Sequence, residues 1–254
     1  MPFLMGLILS LIQGITEFLP VSSSGHLAIF QIFSKSFKEP PVFFDIFLHL
    51  ATLFSILFYY RKNLKNYFNL YKIILILSGM AGTFLVAFPL KDFAKQSFSS
   101  PYLISLFLFI TGIILYLANG VREKNKEMDI RDAFLIGIFQ GFAIFPGISR
   151  SGITISTGIF LGISSEVACE FSFILSIPVI LGANLLEALP EIKKYGFMGD
   201  GSFLIFFLIT FLLGLIFLHF TNKIFIKRYL KPFSFYCIII SVLIFGVVFY
   251  GKFI

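Results

Sequence analysis

The sequence contains no tryptophan, only two cysteines and three histidines in 254 residues, and just 13% of it is charged. Soluble domains carry about twice that share of charge, so an ordinary water-soluble fold is excluded. Cys169 and Cys237 are far apart and each lies inside an apolar run. Such a pair reads as two buried thiols, and redox chemistry gains no support. No P-loop, Rossmann glycine fingerprint, HExxH or paired CxxC is present, which leaves ATP hydrolysis, dinucleotide chemistry and structural zinc without a motif. The first residues, Met1-Pro2-Phe3-Leu4, lack a basic start and a following small-residue cleavage site, so no signal peptide is expected. Without tryptophan, an interfacial aromatic belt must rest on tyrosine and phenylalanine.

What is abundant is apolar. Hydrophobic residues make up 58% of the chain, phenylalanine alone contributes 37, and the mean hydropathy is +0.96. Crossing a hydrocarbon core takes roughly 20 helical residues. Runs near 42–60, 73–90, 101–119, 166–189, 203–222 and 233–250 reach or approach that length, and several are apolar on every face. The net charge of +7 could suggest nucleic acid, but the basic residues sit between these spans. Arg61-Lys62 with Lys65, and Lys227-Arg228, therefore read as solvated loop charges or lipid-headgroup contacts, and no nucleic-acid partner is expected.

The chain also repeats itself. Gln13-Gly14-Ile15-Thr16-Glu17-Phe18-Leu19-Pro20-Val21-Ser22-Ser23-Ser24-Gly25 aligns without gaps on Gln140-Gly141-Phe142-Ala143-Ile144-Phe145-Pro146-Gly147-Ile148-Ser149-Arg150-Ser151-Gly152. Six positions coincide, at an offset of 127, which is half of 254; the prolines miss by one place, and Phe44 falls on Phe171. Each copy begins with an apolar piece too short to cross, about 3–19 and 133–145. A Pro/Gly/Ser-rich break follows, then a second short piece at about 26–33 and 153–163. Irregular backbone is not tolerated facing lipid, so each break must be shielded or line a wet cavity. The expectation is an all-α integral membrane protein, one membrane domain over 1–254, with repeats over about 1–127 and 128–254. Each repeat would hold a re-entrant helical hairpin and three transmembrane helices. Three is odd, so the repeats would be inverted and their breaks could meet near the midplane. On that topology seven basic residues, Lys35, Lys38, Lys91, Lys95, Lys193, Lys194 and Lys252, share one face. Twelve, from Arg61 and Lys62 to Arg228 and Lys231, share the other, which would put both termini outside.

Polar residues gather at the breaks. Glu17 follows Gln13 by four and shares its helix face, and an ionisable group at membrane depth costs roughly 2.5–3.5 kcal/mol on insertion scales. Ser22, Ser23, Ser24, Gly25 and His26 supply hydroxyls, a flexible backbone and an imidazole nearby. A hydroxyl nucleophile needs a base and the base an orienting partner, roles that a serine, His26 and Glu17 could fill; serines there could equally cap a restarting helix. Arg150 stands in the second break with Ser149, Ser151 and Thr154 around it. Its guanidinium fork and the amides of a restarting helix suit a phosphate, although pairing with Glu17 is the plainer alternative. Asp45 and His49, four apart, could support the site or merely pair with one another. Glu166, Glu187 and Glu191 read as interfacial, and Glu170 as deeper and ambiguous.

Both segments closely resemble the two signatures of bacterial undecaprenyl-diphosphate phosphatases of the bacitracin-resistance type. The likeness extends over nearly the whole chain, including Phe44-Asp45 with His49 and Glu170-Phe171-Ser172-Phe173. It implies removal of the terminal phosphate of a C55 isoprenyl diphosphate, which recycles the carrier lipid for peptidoglycan and underlies bacitracin resistance. It further implies Glu17, Ser23, His26 and Arg150 as the catalytic set, with Ser22, Ser24, Gly25, Ser149, Ser151 and Thr154 contacting the substrate. A divalent cation, Mg2+ or Ca2+, is implied at Glu17 and Gln13; the family's pattern has a carboxylate or Gln at the place of Gln13, and the amide of Gln13 binds a metal less strongly than a carboxylate would. The protein would lie in the bacterial cell membrane with its site toward the outer side; a homo-oligomer is compatible with these features. Two other classes compete. A lipid-phosphate transporter or flippase could use the same inverted plan, and a membrane assembly protein would need fewer polar groups at the breaks.

Overall fold

In a computed structural model, residues 3–34, 42–122, 124–195 and 201–251 are described, and ten α-helices account for most of them. They fall into two sets of five. The first holds α1 (Phe3–Thr16), α2 (Ser23–Ser34), α3 (Val42–Tyr59), α4 (Leu70–Ser97) and α5 (Pro101–Gly120). The second holds α6 (Ile130–Gly141), α7 (Arg150–Phe160), α8 (Ser165–Tyr195), α9 (Gly201–Ile226) and α10 (Lys231–Phe249). Five helices, α4, α5, α8, α9 and α10, are long and apolar enough to cross a membrane. The protein is a multi-pass membrane protein. The expected span at 42–60 is α3, whose 18 residues reach about 27 Å and end just short of a full crossing. Lys35, Lys38 and Lys252, and the side chains of Glu191, Lys193 and Lys194, lie outside the described residues.

The four hairpin helices are short because their sequences stop them. At 14, 12, 12 and 11 residues they reach about 17–21 Å, against a core of about 30 Å. Pro20 fixes φ, lacks an N–H and pushes Leu19 out of helical conformation, so α1 ends at Thr16 and the chain turns. The second break carries Pro146 and then Gly147 at φ 110. That left-handed angle needs glycine, and a Cβ there would also fall 2.6 Å from the Ile104 carbonyl oxygen.

The breaks satisfy each other's backbone. Ser22, itself left-handed at φ 67, accepts on Oγ from Gly147 N–H at 3.0 Å. Thr111 Oγ1 on α5 donates to the Gly147 carbonyl at 2.8 Å and accepts from Ser149 N–H at 3.1 Å. Gly25 sits so close that a Cβ would lie 3.0 Å from Gly147 Cα. Protein surrounds this irregular backbone, the condition under which such backbone is tolerated in a membrane.

Helix contacts recur at matching places in the two sets. α1 packs on α9 and α6 on α4, while α3 faces α8 and α5 faces α10. A Cβ on Gly14 would lie 3.1 Å from the Thr210 carbonyl oxygen, and one on Gly141 would lie 2.9 Å from that of Thr83. Thr83 and Thr210 are themselves 127 residues apart. Without a hydrophobic drive between helices in lipid, such small-residue contacts and interhelical hydroxyl bonds hold bundles together. α5 and α10 use the bonds: Ser234 and Ser241 each donate to an α5 carbonyl at 2.7 Å. Inside, Phe18, Phe171 and Phe173 are fully buried, with Phe18 edge-on to Phe173 at 5.8 Å.

Candidate active site at the crossing of two helix starts

Glu17 stands one residue beyond α1, its amide still bonded to the Gln13 carbonyl at 3.0 Å. Its carboxylate gathers donors from three segments. Arg150 Nη2 meets Oε1 at 2.6 Å, Ser23 Oγ donates to Oε2 at 2.5 Å, and Gln13 Nε2 donates to Oε2 at 3.0 Å. The Glu17 and Arg150 side chains are only 6% and 14% exposed, so this is a desolvated pair. Removing one member would strand the other. Arg150 Nη1 and Gln13 Oε1, by contrast, are buried and meet no partner among the described residues. Buried polar atoms are rarely left so; here one is a cationic donor and the other an acceptor, side by side with the carboxylate.

Two helix starts meet at this point. Ser22 and Ser149 cap them: Gly25 N–H reaches Ser22 Oγ at 3.4 Å, and Gly152 N–H reaches Ser149 Oγ at 3.1 Å. The first turns of α2 and α7 therefore both present the partial positive charge of a helix N-terminus, which favours an anion.

The remaining residues expected at the site are placed less uniformly. Ser24 Oγ lies 3.3 Å from Ser22 Oγ. Ser149 serves as a cap, Ser151 donates to the Phe18 carbonyl at 2.9 Å, and Thr154 bonds the Arg150 carbonyl at 2.7 Å and Ser172 Oγ at 2.5 Å. These three hydroxyls are committed to backbone and neighbours. His26 makes no hydrogen bond to Ser23 or Glu17. Its Nδ1 lies 2.7 Å from the Ser22 carbonyl oxygen and its Nε2 2.8 Å from Tyr236 OH.

His49 comes in instead. Its Nδ1 donates to the Asp45 carbonyl at 2.8 Å, and its Nε2 is 3.8 Å from Glu17 Oε2. The Asp45 carboxylate pairs with Gln31, not with His49, at 2.9 and 3.1 Å. The four-residue spacing signalled that His49 and Asp45 share a face; that the face meets Glu17 follows only from how α3 lies beside α1. Glu170 sits apart, accepting from Asn63 at 3.0 Å. Cys169 and Cys237 are buried thiols that form no disulfide.

The family described as Bacitracin resistance protein BacA matches residues 6–243. The chain belongs to that family. Among relatives of this BacA-family chain, an Undecaprenyl-diphosphatase of Methanococcus maripaludis (strain C7) is 39% identical over 92% of the chain and 96% of its own length. Proteins of the same name from Thermosipho africanus and Carboxydothermus hydrogenoformans are 39% and 38% identical. They cover 95% and 97% of this chain and 98% of their own lengths.

Among the described residues no three His, Cys, Asp or Glu side chains cluster to hold a metal ion. The donor set nevertheless fits a cation shared with a phosphorylated ligand. Gln13 Oε1 is an uncommitted buried acceptor beside a carboxylate, and Mg2+ commonly takes one or two carboxylates, waters and substrate phosphates.

Proposed function

We propose that this protein hydrolyses undecaprenyl diphosphate to undecaprenyl phosphate and inorganic phosphate. One observation carries the reading beyond the relatives' name. A serine hydroxyl and a guanidinium are held on the two oxygens of one buried carboxylate, and the guanidinium's second terminal nitrogen, Nη1, has no partner among the described residues. A binding or flipping protein has use for the guanidinium but none for a serine bonded to a base.

In this reading the terminal phosphate sits on Arg150 Nη1 and the amides that open α2 and α7. Phosphoryl transfer depends mainly on positioning and charge stabilisation, and these groups supply both. Ser23 Oγ attacks the terminal phosphorus in line, its proton passes to Glu17 Oε2, and the P–O bond to the bridging oxygen breaks. Undecaprenyl phosphate leaves. Water then attacks the phosphoserine, giving a proton to His26, and the proton held on Glu17 returns to Ser23 Oγ as phosphate departs. Glu17 and Gln13 would hold a divalent cation, Mg2+ or Ca2+, whose chemistry is to neutralise charge on the diphosphate. The prenyl tail stays in lipid. The two halves are inverted repeats, and the headgroup enters from the outer side of the membrane.

Phosphate release from C55 diphosphate by the purified protein in detergent tests the activity. Acid quenching with labelled substrate should trap phosphate on Ser23, and Ser23→Ala should be inactive. A protein that binds the lipid yet releases no phosphate would be a carrier, and the proposal would fail.

A further inference from the structure

We propose that Tyr236 is a positioning residue for His26, holding the imidazole in one tautomer and one plane at the lipid-facing edge of the site. The proposal rests on the reading above for what His26 does in turnover, but the dyad itself stands on geometry. A carbonyl oxygen cannot donate, so the 2.7 Å contact to Ser22 O requires the ring hydrogen on Nδ1. Nε2 is then the lone-pair atom, and the Tyr236 hydroxyl, 2.8 Å away, must be donating to it. The rings lie nearly parallel, 6° apart with centroids at 5.7 Å.

Both anchors are built in. The Ser22 carbonyl is aimed by the left-handed backbone at that residue, and Tyr236 arrives from α10, 210 residues later in the chain. The other hydroxyls and the thiol of α10 bond backbone: Ser234 and Ser241 to carbonyls of α5, and Cys237 to the Pro20 carbonyl. Tyr236 is the α10 side chain that reaches a side chain of the candidate set. At 40% exposure it also borders lipid.

Tyr236→Phe keeps the ring and its stacking and removes only the donor. In the intact protein, kcat should fall about tenfold, the worth of one neutral hydrogen bond, with KM within twofold. The 15N resonance of His26 Nε2, assigned by its absence in His26→Gln, should move toward the non-hydrogen-bonded position. Tyr229→Phe, an exposed tyrosine outside the site, should change neither. If the phenylalanine variant is unstable, difluorotyrosine at position 236, a stronger donor of similar size, should move the Nε2 resonance the opposite way. An unmoved resonance, an unchanged kcat, or a raised KM with kcat intact would each overturn the proposal. Should the wild-type protein release no phosphate, the functional reading fails while the nitrogen resonance still decides the dyad.

Discussion

Arg150 carries two separable loads, and they can be pulled apart. Its Nη2 neutralises buried Glu17 at 2.6 Å, while its Nη1 has no partner among the described residues and is proposed to hold the substrate. In Arg150→Ala the carboxylate is left charged and almost dry. Breaking a buried pair from one side costs about 3–5 kcal/mol, so the variant should lose both activity and thermal stability in detergent. Adding Glu17→Gln removes the stranded charge; because deleting both members of such a pair is close to neutral, most of that stability should return. Activity should not. Arg150→Lys retains a cation for Glu17 but not the planar fork. The loss is then one charge-assisted hydrogen bond, about 1.5–3 kcal/mol, or roughly 10–150-fold in kcat/KM, with stability little changed. Thermal midpoints and phosphate release for the three variants test the scheme. A double variant no more stable than Arg150→Ala, or an Arg150→Lys protein as active as wild type, would refute the reasoning.

Gly137→Ala should disrupt the seat of α6 on α4, since its Cβ would fall 2.0 Å from the Gly79 carbonyl oxygen; overpacking of this kind costs about 1–3 kcal/mol or more. Gly246→Ala, with nothing within 4 Å, is the matched control in the same melting assay. Ser22→Ala should cost about 1–3 kcal/mol by leaving the buried Gly147 N–H without its acceptor. A chelator should abolish phosphate release, Mg2+ or Ca2+ should restore it, and Gln13→Glu should lower the cation concentration required. In the polar loop before α6, hydrogen bonding from the Asp132 amide holds the Asp129 carboxyl below its ordinary 3.8. Its contribution to stability is then present above 3.8 and lost as pH falls through the lower folded value. Asp129→Ala should therefore melt earlier than wild type at neutral pH, and the gap should close in acid.

Local features of the chain were legible to within a few residues. Pro20 and Pro146 mark helix ends because proline lacks the N–H a continuing helix needs, and the short pieces on either side became α1, α2, α6 and α7. Glu17 and Arg150 stood out because an ionisable group inside an apolar run has to be accounted for. The hydroxyl partners were harder. Ser149, Ser151 and Thr154 looked alike as phosphate donors, yet Ser151 and Thr154 donate to backbone carbonyls and Ser149 accepts from the Gly152 amide. Which way a hydroxyl points depends on helix rotation, and residue type does not encode that.

By itself, then, the sequence settled the solvent this protein lives in, the places where its helices must break, and the doubled order of its segments. Each of these follows from hydrophobic run length, proline and glycine, all of which act on neighbours along the chain. Only the tertiary structure decided that residues 133 positions apart share one carboxylate contact, that His49 faces Glu17, and that His26 turns to Tyr236. Those pairings depend on which helix faces meet, and glycine contacts that bring helices to backbone distance set that geometry across the whole bundle.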